Sequence, residues 1–96
     1  MVWEFTVRGE HREAFERAYQ PDGDWARLFR KARGYLGTSL LRDAERENVY
    51  LTIHRWQRPQ DYAAAMSSLG PDYQALDQHC ETFTIREKKL GEYLEY

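Results

Sequence analysis

A single cysteine, Cys80, occurs among 96 residues, so no disulfide can close within the chain. The expected setting is therefore the reducing cytoplasm, with Cys80 packed as a small apolar side chain. Long apolar runs are also lacking. No stretch approaches the ~20 residues of a membrane span, and the opening residues enter a strand pattern without the basic and apolar segments of a signal peptide. No one sign of charge dominates, since 14 Lys and Arg are interleaved with 16 Asp and Glu for a formal charge of −2. Without a basic stripe, a nucleic-acid partner is not expected. The three histidines, His11, His54 and His79, fall on separate segments and lack the spacing that marks zinc. No metal site and no cofactor are expected. A glycine-rich phosphate loop and a nucleophile elbow are absent as well.

Aromatic residues are abundant. They make up 15% of the chain, with three Trp and seven Tyr. The length suits one domain over residues 1–96. Alternation marks a strand from Val2 to Arg8, with Trp3, Phe5 and Val7 on one face. Ala14, Phe15, Ala18 and Tyr19 form a helical stripe, and Trp25, Leu28, Phe29 and Ala32 form a second after the Pro21–Asp24 turn. Gly34 ends that helix. Strands are expected over Tyr35–Arg42 and Asn48–Trp56, joined as a hairpin by the charged link Asp43–Glu47. Pro59 suits a helix start, and Tyr62, Met66 and Leu69 are expected to be its buried stripe. Gly70-Pro71 interrupts that helix, Tyr73, Leu76 and Cys80 carry it further, and Thr82–Lys88 reads as a last strand. The order β-α-β-β-α-β is α+β, the ferredoxin-like arrangement of a four-stranded antiparallel sheet with helices on one face.

The third strand carries the most information. Val49, Leu51 and Ile53 fall on one face, and Tyr50, Thr52, His54 and Trp56 on the other. Helices cover only one side of such a sheet, so the aliphatic face needs a second cover. Burying one such side chain is worth about 1.5–3 kcal/mol, which is large against a total stability of roughly 5–15 kcal/mol. A second copy packed face to face satisfies this need, with the apolar tail 89–96 (Leu90, Tyr93, Leu94 and Tyr96) at the dimer interface. The alternative is that the tail folds back over its own sheet.

Gly34-Tyr35-Leu36-Gly37-Thr38-Ser39-Leu40-Leu41-Arg42, Tyr50-Leu51-Thr52-Ile53-His54-Arg55-Trp56 and Tyr62 resemble the antibiotic biosynthesis monooxygenase domain. The resemblance implies a dimeric α/β barrel with a small pocket between helices and sheet in each subunit. Some members of that family oxidise aromatic polyketides with dioxygen and neither metal nor flavin. Others degrade haem. In the polyketide branch an Asn, the Trp ending strand three and a Tyr on the next helix surround the substrate. Trp56 and Tyr62 match the last two, and Thr52 stands where the Asn is expected. In the haem-degrading branch Trp56 again matches and His79 is the candidate histidine, but strand one here lacks that branch's Asn.

The expected function is thus a cofactor-independent monooxygenase, or related small-molecule enzyme, acting on an aromatic or quinone-like substrate. His54 and Tyr62 are the candidate catalytic groups, with Trp56, Thr52, Trp25 and Phe29 lining the substrate pocket. A non-catalytic dimeric module binding a small ligand is the second reading, and haem degradation the third. The second predicts His54 tied to an internal partner, and no continuous cavity beside Trp56.

Overall fold

A computed structural model describes all 96 residues. Four antiparallel strands, β1 (Val2–Val7), β2 (Tyr35–Arg42), β3 (Val49–Trp56) and β4 (Thr84–Gly91), form one sheet in the order β2-β3-β1-β4. Helices α1 (Arg12–Tyr19), α2 (Asp24–Phe29) and α3 (Pro59–Glu81) lie on one face, with a short 3-10 turn at Gly9–His11 before α1. This is the ferredoxin-like α+β fold. No helix is long and apolar enough to cross a membrane.

The core between sheet and helices is largely aromatic. Phe5 and Tyr50 from the sheet meet Phe15, Tyr19, Trp25 and Phe29 from the helices, all buried. Phe15 stacks on Tyr19 at 4.3 Å between ring centres, and Phe5 meets Tyr19 at 5.0 Å. Such pairs add about 0.5–1.5 kcal/mol to the burial of the rings. The Tyr50 hydroxyl donates to Glu16 on α1 at 2.5 Å, so the polar end of a buried ring finds its partner at the core edge. Cys80 is buried beside this cluster, and burial pushes its thiol up to about 11, which suits packing rather than reactivity.

Helix α3 is interrupted at Gly70-Pro71 as expected: Gly70 leaves helical geometry at φ 33°, and a second helical segment carries on to Glu81. Its buried stripe is Asp61 and Ala65, flanked by the partly buried Tyr62 and Leu69, whereas Met66 is 40% exposed. Met66 is one position too far around the helix to reach the sheet. The last strand also starts and ends later than its sequence suggests, at Thr84 and Gly91. It absorbs the first residues of the apolar tail; beyond it Tyr93, Leu94 and Tyr96 are exposed, and Glu95 lies 3.6 Å from Arg55 of β3.

Candidate active site

Parity along β3 directs Tyr50, Thr52 and His54 toward the helices, and all three are buried. The β2 pairing sets Thr38 opposite His54. Thr38 Oγ1 lies 2.8 Å from His54 Nδ1 and 2.5 Å from the Tyr35 hydroxyl, a chain that orients the imidazole from one side. His54 Nε2 has no hydrogen-bond partner from the protein. No carboxylate faces the ring, and burial lowers its pKa to about 4, so it is neutral at physiological pH.

The Thr52 side chain is fully buried, and its Oγ1 has no partner. An orphaned buried hydroxyl costs about 1–3 kcal/mol, and such groups in native proteins call for an explanation. Here the explanation is adjacent space. Thr52 and His54 line a cavity of about 80 Å³, walled by Trp3, Phe5, Tyr19, Trp25, Phe29, Tyr62 and Tyr73. Met1 completes one edge, its amino group donating to the His54 carbonyl at 3.0 Å. Asp77 and Glu87 also line it, and both are exposed, which marks its solvent side.

The kink in α3 shapes this cavity. Tyr62 and Tyr73 are eleven residues apart, a rise of about 16 Å along a straight helix. Bending at Gly70 turns the two segments toward each other, and the two hydroxyls meet at 3.2 Å. Burial raises the pKa of both phenols above the usual tyrosine value, so both stay protonated and can donate a hydrogen bond. Glu87 is shifted upward too, by partial burial and then by the charge of Asp77.

Of the six residues singled out in the sequence, five line the cavity: Thr52, His54, Tyr62, Trp25 and Phe29. Trp56 does not. It packs behind the wall, 5.2 Å from Phe29, 5.3 Å from Tyr35 and 5.7 Å from Tyr62 between ring centres. His79 is exposed and rests against Phe83 at 5.2 Å, away from the cavity. Tyr73, Asp77 and Glu87 were not foreseen. Tyr73 and Asp77 share a helix face at i, i+4, a spacing that was legible, while Glu87 needed the β1–β4 register that sets it opposite Phe5.

The family model for antibiotic biosynthesis monooxygenases matches residues 1–87. The chain belongs to that family. Among solved structures, SnoaB, a cofactor-independent oxygenase from Streptomyces nogalater, is similar at 21% identity over 99% of this chain and 94% of that one, with a TM-score of 0.65. A Nitrosomonas europaea protein classed with the antibiotic biosynthesis monooxygenases aligns over 96% of both chains at 17% identity and TM-score 0.68. PA3566 from Pseudomonas aeruginosa aligns over 91% of this chain and 83% of its own at 18% identity and TM-score 0.63. At these identities the likeness establishes the fold. No protein of curated function matches the sequence.

Proposed function

We propose that this family member is a cofactor-independent monooxygenase that oxidises a small aromatic or quinone-like molecule with dioxygen. One observation carries the reading: two buried polar side chains, Thr52 and His54, present a hydroxyl without a partner and a ring nitrogen outside the Thr38 bond to a largely aromatic cavity. A phenol-type substrate placed there would hydrogen-bond both groups. His54 Nε2 accepts a proton from an acidified ring CH₂ or phenol when Nδ1 carries its proton toward Thr38. A folded-state pKa near 4 makes it a weak base toward water-exposed acids. The imidazolium gains strength only beside the substrate anion formed in the same step. The Tyr62 and Tyr73 hydroxyls share one hydrogen bond, and the proton left over is a donor suited to that anion. The carbanion then supplies the electrons to dioxygen. A C–O bond forms as a hydroperoxide, and its loss of water leaves a carbonyl where the CH₂ stood, with one oxygen atom in the product and one in water.

The cavity volume of about 80 Å³ is below the roughly 150 Å³ of an engineered cavity that holds benzene. A substrate therefore places a ring edge inside and the remainder at the Asp77 and Glu87 side, or the walls part as it enters. The experiment is oxygen uptake with anthrone- and hydroquinone-type compounds. Wild-type protein is expected to consume oxygen in step with product, and His54→Gln/Tyr62→Phe to lose about a hundredfold of that rate. Unchanged turnover in the double variant removes the mechanism. The Thr38 bond to His54 Nδ1 favours a second reading, a non-catalytic module in which the same cavity only binds its ligand. It predicts binding with no oxygen uptake from any compound.

The protein is also proposed to work as a homodimer through the sheet face opposite the helices. Leu41 lies opposite Leu51 there, with Leu41 48% exposed and Leu51 and Ile53 half-buried. Tyr93, Leu94 and Tyr96 add exposed apolar surface at the tail. Light scattering at micromolar concentration is expected to give twice the monomer mass, and a monomer at all concentrations rejects the dimer.

A further inference from the structure

We propose that the cavity selects a ring bearing a neutral hydrogen-bonding group on one side and a positively charged arm on the other, an aralkyl ammonium compound. This rests on the reading of the cavity as a small-molecule site. The deep wall supplies the uncharged half of the recognition. Thr52 Oγ1 is fully buried without a partner, and His54, 6% exposed, leaves Nε2 free. Both suit a phenol or similar hydroxyl, which can donate to one and accept from the other.

The solvent side supplies the charged half. Asp77 and Glu87 are its two carboxylates, and no Lys or Arg lines the cavity. Neither acid forms an ion pair. Asp77 has no hydrogen-bond partner, and the one contact of Glu87 is with the Thr84 hydroxyl at 3.5 Å. Asp22, Asp24, Asp43 and Glu4, by contrast, each hold an arginine. Two cations on this side of the sheet have partners of their own. The Met1 amino group donates to the His54 carbonyl at 3.0 Å, and Lys89, on the same face of β4, turns to Glu92 at 4.0 Å. Glu87 is shifted upward first by partial burial and then by the negative charges of Asp77 and Glu81. Trp25 and Tyr73, in edge contact at 5.2 Å, also line the cavity, and aromatic rings of this kind attract an ammonium group. An anionic arm would meet two carboxylates there against the single positive charge of the Met1 amino group.

Three phenols of similar shape separate the two halves: tyramine has a cationic arm, tyrosol a neutral one and 4-hydroxyphenylacetate an anionic one. Affinity is read by NMR titration, following the Trp25 indole N–H. Wild-type protein is expected to bind tyramine about fivefold more tightly than tyrosol, and 4-hydroxyphenylacetate about fivefold more weakly, the scale of partly exposed charge pairs. The preference should shrink as salt rises. In Asp77→Asn/Glu87→Gln the three affinities should converge, with that for tyrosol unchanged. Equal binding of tyramine and tyrosol by wild-type protein, or a preference that survives in the double variant, overturns the charge selection while the cavity remains a binding site. Failure of all three compounds to move the Trp25 signal overturns both readings.

Discussion

Between pH 6.5 and pH 4 the folded protein is expected to lose about 3 kcal/mol of stability through His54 alone. Buried without a carboxylate, the imidazole resists protonation in the folded state until about pH 4, whereas in the unfolded chain it titrates near 6.5. Over that interval the unfolded state binds more protons, so acidification favours unfolding. Above pH 6.5 the contribution is fully present, and below pH 4 its loss is complete. Glu87 works in the opposite direction, because a carboxyl raised in the folded state is protonated there first. Asp22 and Asp43 are held below the usual carboxylate range by Arg30 and by backbone and side-chain bonds around Arg46, so their contribution is lost at lower pH. Comparison with His54→Gln isolates the histidine, since glutamine keeps a partner for Thr38 and does not titrate. Denaturant unfolding from pH 7.5 to 4 should show a steeper fall for wild-type protein. Parallel curves would mean that His54 is protonated in the folded state and would also weaken its role as a base.

Gly34→Ala should cost about 3 kcal/mol, a fall in melting temperature of roughly 15 °C for a domain of this size. Gly34 joins α2 to β2 at φ +86°, where a side chain costs roughly 1–2 kcal/mol. A methyl group there would also overlap the Asp61 carboxylate and come within 2.9 Å of its Cβ. Asp61 is 6% exposed and caps α3 by accepting the Arg58 backbone N–H at 3.1 Å. Displacing it costs a cap, worth about 1 kcal/mol. The Gly34 carbonyl also accepts the Gln57 N–H at 2.7 Å, closing the open end of the β2–β3 hairpin beside Tyr35 and Trp56. A double-mutant cycle with Asp61→Ala tests the cause. If the carboxylate is what the methyl group strikes, the pair is less destabilised than the sum of the single changes. Strict additivity would leave only the backbone conformation.

The element order was readable because strand alternation, helical periodicity and the punctuation at Gly34, Pro59 and Gly70-Pro71 all agree. The same periodicities brought Thr52 and His54 to the helix face and put Trp25 and Phe29, four residues apart, on one side of α2. Parity along a strand assigns a face but not a depth. Trp56 has the right parity, yet at the strand end, where the β2 register shifts between Tyr35 and Gly37, it packs behind Phe29 instead of lining the cavity. Helical spacing likewise put Met66 on the buried stripe, but how far a helix face reaches depends on how the helix sits on the sheet. Tyr73 joined the site because a kinked helix turns both of its halves inward, and Glu87 because of the register between β1 and β4. Sequence by itself thus determined the fold, the faces of β3 and five residues of the cavity wall, since local periodicity controls those. Only the tertiary structure decided which polar atoms are left without partners and where the carboxylates gather, since both depend on register and on a helix bend that no local pattern encodes.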